Sequence, residues 1–491
     1  MISLGGWKTL DELNLYNIAY KHLFNCIHFG LYPTGSSLPT VPELCKTFNV
    51  SSATIRNALK LLQEDNYVSL SQGRSAIVTY NIKEEECRTE YRSYSYATKD
   101  ALLDLCDTML LIWPEVMLQG LKLCDDDDLK KLTEIFKRMS PYNEYPFFEF
   151  FFQILKVLGN PLFLNLYLST SFFGHSTIMH LGDKAYIYGY MTYLKRETAQ
   201  ILSLCKASDH GQLKDLLIRL YQKHIEGVQK YHDSLPEPDD PIEPIPYEWN
   251  HFSERPLVSF NLAMKLLRKI YTSFGNQEFL PSFTSLAKQY SMPLITVRRA
   301  VKILSDIGVV ETIPGKGTRV LMGLDNPAPI SKFSTPNLKK ALLLYLQSVQ
   351  IILIICKDVA RTVFPTLTDR SIQGTISWLQ NIQISKDYYM TFGVCFGLLN
   401  EKAQSPALRQ ILDGLMYFQY LGYPLNDMKP YAFRFDSRST TILMKSLEEK
   451  DAELFASELQ RLTLDIFNTG KEKLIAGGIH EAESIVLPPL D

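Results

Sequence analysis

Apolar residues at helical spacing open the pattern. Between residues 15 and 29, Ile18, Leu23 and Ile27 fall on one side of a predicted amphipathic helix. Residues 30–37 interrupt it with turn formers. Thr40-Val41-Pro42-Glu43 then reads as a capping box, with Pro42 in the first turn, where its missing N–H costs little. A short helix to about Phe48 follows, then a turn at Asn49-Val50-Ser51, with Ser51 placed to cap a third helix over residues 52–65. After that the period shortens. Residues 67–70 and 76–80 are β-prone runs joined by Ser71-Gln72-Gly73-Arg74-Ser75, a hairpin with glycine at its tip. Helix, helix, tight turn, helix and hairpin is the order of a winged helix-turn-helix.

The pattern returns. Leu38-Pro39-Thr40, Thr54-Ile55-Arg56, Ala58 and Gly73-Arg74 are matched by Leu280-Pro281-Ser282, Thr296-Val297-Arg298, Ala300 and Gly315-Lys316. The offset is 242 throughout, as from 39 to 281 and from 73 to 315, which is nearly half of the 491 residues. Such self-similarity marks a duplicated unit. Each winged segment is followed by a long stretch of helical spacing, over residues 99–231 and 337–476, with residues 99–123 and 338–363 as corresponding first helices and a kink expected at Pro114. Gly159-Asn160-Pro161-Leu162 corresponds to Gln404-Ser405-Pro406-Ala407, and residues 447–452 read as a junction between two helices. The predicted fold is mainly α, a tandem duplication of a winged helix-turn-helix plus an all-helical bundle. The expected domains are 1–82, 98–233, 255–324 and 335–491, with the Pro- and acid-rich segment 234–254 as linker.

Composition adds limits. At 46% hydrophobic and 21% charged residues the chain is an ordinary globular one. Its net charge of −2 gives no global argument for nucleic acid, but the charge is uneven. Residues 256–322 hold nine Lys and Arg against three Asp and Glu, and residues 16–80 hold five against three. These balances of +6 and +2 leave about −10 for the remainder. Eight scattered cysteines without a CxxC pair, and a beginning unlike a signal peptide, fit a reduced cytoplasmic setting. The most apolar run, residues 341–356, is shorter than a membrane span and interrupted by Gln347, Ser348 and Gln350, so a buried core helix is expected and no membrane partner.

In a winged helix-turn-helix the third helix enters the major groove and presents its N-terminal residues to base edges. Thr54, Arg56, Asn57 and Lys60 are the candidates in the first copy, with Thr40, Ser51 and Ser52 at the helix starts and Gly73 and Arg74 on the wing. Arginine pairs with guanine and asparagine with adenine through two hydrogen bonds. The second copy offers Ser282, Thr296, Arg298, Arg299 and Lys302, with Lys316, Gly317 and Arg319 on its wing. Its more basic surface makes it the tighter expected binder, because phosphate contacts dominate affinity. The plainer alternative is a solvated helix face.

These residues resemble the GntR-type bacterial regulators. That family's domain carries an LPS/T element, an ELA-like helix, a V-S-R-x-T-V-R-x-A-L recognition helix and a Q-G-x-G wing. Here the matches are Gly35-Ser36-Ser37-Leu38-Pro39-Thr40, Glu43-Leu44-Cys45, Val50-Ser51-Ser52-Ala53-Thr54-Ile55-Arg56-Asn57-Ala58-Leu59 and Gln72-Gly73-Arg74-Ser75. In the second copy they are Leu280-Pro281-Ser282, Leu286-Ala287, Met292 to Val301 and Pro314-Gly315-Lys316-Gly317. The family's arginine after the capping serine is Ser52 in one copy and Leu294 in the other; Pro293 replaces the cap itself, with Ser291 as a substitute cap, and Ser75 replaces a wing glycine. The helical stretches resemble the effector and dimerisation domain of the FCD subgroup. That resemblance implies an Asp/His metal site with a small carboxylate ligand, but the positions hold Phe147, Phe151, Thr198 and Thr440, so no metal and no other cofactor is expected.

The resemblance implies a transcriptional regulator bound to double-stranded DNA, controlled by a small-molecule effector whose contact residues stay unassigned. Two unequal readers imply an imperfect palindrome, met by a pseudo-dimeric monomer or a homodimer. The alternative is a ligand-sensing or protein-interaction module that has lost DNA binding. An enzyme is not expected, since there is no βαβ alternation, phosphate loop or nucleophile elbow. Asp125 to Asp128 read as a helix start rather than a cation site, and His175 and His180 are off the i, i+4 spacing of paired ligands. The aromatic run over 142–193 reads as core, or as the lining of an apolar pocket.

Overall fold

A computed structural model describes residues 15–142, 145–179, 184–235, 238, 241–249, separate positions within 259–270, and 278–306, 308–321, 336–425 and 437–487. By contacts the chain forms two compact units, one of residues 1–251 with 404–410 and 486–491, the other of 252–403 with 411–485.

The first unit opens with α1 (Leu15–His28), α2 (Val41–Phe48), α3 (Ser52–Glu64), β1 (Val68–Ser69) and β2 (Ile77–Val78). Every boundary has a local cause. Thr40 caps α2 with its hydroxyl while the Glu43 carboxylate accepts from the Thr40 N–H at 2.7 Å, closing the box read from the sequence. α2 ends at Asn49 in the left-handed region, φ +50°, and Ser51 accepts from the Thr54 N–H at 3.2 Å to start α3. In the hairpin Val68 faces Val78 and Ser69 faces Ile77, and Ser37 bridges to Ile77 from the other side. Leu23, Phe48, Ile55, Ala58, Leu62 and Val78 close the small core over which α1 crosses α3.

The bundle differs from expectation at its start. α4 (Glu84–Lys122) is one helix of 39 residues that begins at the foot of the wing rather than near residue 98, and it continues through Pro114. α5 (Asp126–Arg138), α6 (Tyr145–Val157), α7 (Pro161–Met179), α8 (Lys184–Lys206) and α9 (His210–Ser234) follow, with α9 packed along α4. Asp125 caps α5 by accepting from the Asp128 N–H at 2.8 Å, and Asp127 and Asp128 pair with Lys130 and Lys131, the structural role expected of the acidic run. Phe147, Phe150, Phe151 and Phe152 are buried with Tyr167 and Trp113 as core. His180 and the side chain of His175 lie outside the described residues.

The predicted linker is more than a tether. Ile245 N–H donates to the Ala97 carbonyl at 2.7 Å, Tyr247 OH meets Ser169 at 3.2 Å and Trp249 Nε1 donates to Asn165 Oδ1 at 2.8 Å. Tyr247 and Trp249 are 5% and 3% exposed, so residues 241–249 form a strap that belongs to the first unit. Proline prevents a helix there, and the two aromatics supply the apolar area that docks it.

In the second unit the described positions between 259 and 270 are helical and bury Leu262, Ala263, Leu266 and Leu267. α10 (Phe283–Gln289), α11 (Leu294–Asp306), β3 (Val310–Ile313) and β4 (Gly317–Val320) repeat the winged order. Val310 faces Val320 and Ile313 faces Gly317 across the hairpin, while Phe279 bridges to Arg319. The bundle comprises α12 (Pro336–Val363), α13 (Asp369–Ser385), α14 (Thr391–Lys402), α15 (Pro406–Gln419), α16 (Ser437–Glu448) and α17 (Ala452–Ala476), with α12 packed along α17. Leu338–Thr366 is long and apolar enough to cross a membrane by composition, yet 83% of its apolar window is buried, as the core-helix reading expects.

Candidate nucleic-acid interface

Each copy turns one face of its third helix into the core and the other to solvent. On α3, Ile55, Ala58, Leu59 and Leu62 are buried; Ser52, Arg56, Asn57 and Lys60 are exposed. On α11, Val297, Ala300, Val301 and Leu304 are buried; Arg298, Arg299 and Lys302 are exposed. The i, i+4, i+8 repeat of Ser52, Arg56 and Lys60, and of Leu294, Arg298 and Lys302, places each set along one stripe. Lys60 lies 3.7 Å from Glu64, an exposed pair that solvent weakens and a phosphate would displace.

Thr54 departs from expectation. It is 1% exposed, its hydroxyl 2.9 Å from that of Ser51, so it completes the cap and presents nothing to a base. Its counterpart Thr296 is half-buried. Thr40, Ser51 and Ser282 stay exposed but are committed to caps; Ser282 accepts from the Ser285 N–H at 3.2 Å. Ser291 is no cap at all. It adopts φ +51° in the left-handed turn after α10, at the place Asn49 holds after α2. Pro293 occupies the site of Ser51 and has no side-chain oxygen to offer. Leu294 and Ile295, 38% and 55% exposed, therefore open α11 where Ser52 and Ala53 open α3.

The wings differ in length. Gly73 and Gly315 sit at the two tips with φ of +74° and +76°, a conformation glycine adopts without a side-chain clash. Arg74 is exposed beside the first tip, its N–H donating to the Ser71 carbonyl at 3.2 Å. Lys316 is exposed at the second, where its N–H closes the turn onto Ile313 at 3.0 Å, and Gly317 leads into β4. Arg319, grouped with the wing contacts by sequence, is half-buried with Nε 3.5 Å from Glu278, so it neutralises an acid at the wing's base. Of the cations named from the sequence, Arg56, Lys60 and Arg74 in one copy and Arg298, Arg299, Lys302 and Lys316 in the other are exposed.

The periodicity missed what holds the first reader on its bundle. His28 lies 2.7 Å from Glu90 on α4 and 3.0 Å from Tyr67 OH at the wing, and its ring stacks on Tyr80. An Nε2–H tautomer satisfies both contacts, donating to the carboxylate and accepting from the phenol. His22 packs 4.4 Å from Phe172 on α7, and Phe48 packs 5.2 Å from the same ring. The i, i+4, i+8 spacing of Tyr20, Phe24 and His28 on α1 was a signal that His28 lies on a second contact face. Around Arg56, burial raises the Cys45 thiol pKa, and the guanidinium opposes that rise.

Where the helical resemblance implies Asp and His ligands, Phe147 and Phe151 are buried, while Thr440 is buried with its hydroxyl 2.7 Å from that of Thr391. Thr198 is likewise buried, its hydroxyl donating to the Leu194 carbonyl at 2.8 Å. Among the described residues no three His, Cys, Asp or Glu side chains converge as metal ligands.

Compared with known proteins, residues 15–78 and 261–320 each match the model of the bacterial regulatory proteins of the gntR family. Proteins of Escherichia coli K12 and Shigella flexneri, both named probable fructoselysine utilization operon transcriptional repressor, are 38% identical over 64 residues, 13% of this chain. The chain spans about a quarter of those relatives' length, 26% in each. Among solved structures, Streptococcus agalactiae GntR is 17% identical, covering 43% of this chain and 99% of its own, at a TM-score of 0.20. E. coli McbR/YncC is 16% identical, covering 44% and 98%, at 0.23.

Proposed function

This chain carries two gntR-family domains, and we propose that it is a transcriptional regulator in which both read double-stranded DNA, on a site whose halves are related but unequal. One observation carries the proposal. In each copy the third helix buries its apolar face and turns a stripe of cations outward beside a basic wing. Arg56 and Asn57 supply guanine- and adenine-type pairing in the first reader, and Arg298 and Arg299 supply guanine-type pairing in the second. Arg74 and Lys316 reach phosphates at the wings, and Lys60 and Lys302 do so further along the helices.

The readers are not interchangeable. The start of α11 is apolar through Leu294 and Ile295, suited to thymine methyl groups, whereas Ser52 and Ala53 begin α3. A chain that joins two such readers takes an imperfect palindrome. The bundles are the proposed seat of control by a small-molecule effector, in a cytoplasmic protein that catalyses no reaction. The second reading, a module that binds ligand or protein through winged helices that no longer hold DNA, draws on the same apolar start of α11.

The test is a salt series of binding to the DNA beside the protein's own gene, for wild type, Arg56→Ala and Arg298→Ala. Selective binding weakened in both variants supports two readers. A loss in Arg298→Ala alone leaves the first as a scaffold. Selective binding absent throughout, with and without candidate metabolites, sinks the proposal in favour of the second reading.

A further inference from the structure

The two reading helices bury and expose matching positions, so their outward residues compare one by one. α3 shows solvent Ser52, Ala53, Arg56, Asn57 and Lys60; α11 shows it Leu294, Ile295, Arg298, Arg299 and Lys302. Cations recur along both, but the first two positions change character. Where the first copy has a hydroxyl and a single methyl, the second has two branched aliphatic side chains, 38% and 55% exposed. Residues 291–297 carry no charge, and the side chains of Leu294 and Ile295 hold no donor or acceptor. Two such residues side by side, with Arg298 and Arg299 one turn on, suit a partner that presents an apolar group within an anionic surface. In the major groove of duplex DNA that group is the methyl on C5 of a pyrimidine.

We propose that the second reader recognises the pyrimidine 5-methyl group itself, so that 5-methylcytosine serves in its half-site as thymine does. This rests on the DNA-reading role proposed above. The two side chains select the ligand. Thymine offers O4 as an acceptor and cytosine its N4 amino group as a donor. Leucine and isoleucine bond to neither, and register only whether the methyl is present. Spacing sets its place. Arg298 follows Leu294 by four residues, roughly 6 Å along the helix axis, which spans at most about two base steps of 3.4 Å. The methyl therefore stands within about two base pairs of the guanine that Arg298 takes. Ser52 and Ala53 give the first reader far less apolar area to gain from the same group.

The test uses the full chain and a duplex carrying its preferred site, found by selection from random sequence. Near the position whose selectivity Arg298→Ala relaxes, one pyrimidine is built as thymine, uracil, 5-methylcytosine or cytosine, each with its matching purine. Wild type should bind the two methylated duplexes alike, and about fourfold more tightly than the two unmethylated ones, the value of one buried methyl. Leu294→Ser with Ile295→Ala, which installs the residues that open α3, should erase that ratio while the guanine stays required. A wild-type ratio near one overturns the proposal and leaves the apolar start of α11 to a protein partner. So does a preference that follows the base rather than its methyl, or a methyl preference that the double variant keeps. In each of those cases selective binding persists, and the DNA-reading role stands. Selective binding to no duplex overturns both.

Discussion

Asn49 and Ser291 stand 242 residues apart and hold the same backbone conformation, with φ of +50° and +51°. Each lies in the turn that leads from the second helix of a winged domain into the third, Asn49 as the C-cap and Ser291 one residue past it. Left-handed backbone strains a side chain with a Cβ, and asparagine tolerates it better than serine. Ser291→Gly should therefore stabilise the second winged domain by about 0.5–1 kcal/mol, and Ser291→Val should destabilise it. Urea unfolding followed on the two variants reads the difference.

Thr54 separates capping from recognition. Because its side chain is buried against Ser51, Thr54→Ala should cost stability, as should Ser51→Ala, which removes an N-cap worth about 1 kcal/mol. Thr54→Ala should leave the preferred DNA sequence where it was. A changed base preference in a selection from random duplexes would restore Thr54 to the contact surface.

The winged domains were legible because their boundaries are set locally. Thr40 with Glu43, Ser51 and Gly73 each act within a few residues, so sequence spacing carries their geometry. Thr54 was misplaced although the buried set Thr54, Ala58 and Leu62 keeps the helical repeat, which already put it on the core side. What stayed hidden depends on distant partners. Residues 84–97 look too polar for a bundle, yet they are helical, with Glu90 meeting His28. Tyr247 and Trp249 sit among prolines and acids and are held by Ser169 and Asn165 on α7. Arg319 reads as a wing contact until Glu278, on the neighbouring strand-like segment, is brought beside it.

Wing and helix should fail differently on DNA. Lys316→Ala is expected to weaken binding to all sequences alike and to lower the salt slope by about 1. Arg298→Ala should cost about 1–3 kcal/mol on the preferred site and relax selectivity at one base position. Titrations on specific and scrambled duplexes at several salt concentrations distinguish the two patterns.

The strap should behave as core. Trp249→Ala removes a side chain that is 3% exposed and hydrogen-bonded to Asn165, a change expected to cost about 3–5 kcal/mol. Thermal unfolding of the variant would show a lowered transition for the first unit; an unaltered melt would return residues 241–249 to the status of a tether.

His232, near the end of α9, is 1% exposed, and neither ring nitrogen has a hydrogen-bonding partner among the described residues. Burial, with Lys99 nearby, brings its pKa from 6.5 to about 4. Between those values the unfolded chain takes up a proton that the folded chain does not, so stability falls as pH drops from 6.5 towards 4. The full effect is roughly 3 kcal/mol. His232→Leu should flatten that acid limb, as measured by urea midpoints across the interval.

α4 leaves the foot of the first wing and ends deep in the first bundle without a break in its 39 residues. At 1.5 Å per residue it runs about 58 Å along its axis, with Pro114 towards its buried end. Glu90 grips His28 near one end, and Trp113 and Val116 are buried towards the other. A shaft that long acts as a lever arm. A swing of about 3° at the buried end carries the far end through about 3 Å, close to the 3.4 Å rise between successive bases. In a regulator of the kind proposed, a tilt that small at the bundle end would displace the winged domain by about one base step along the duplex.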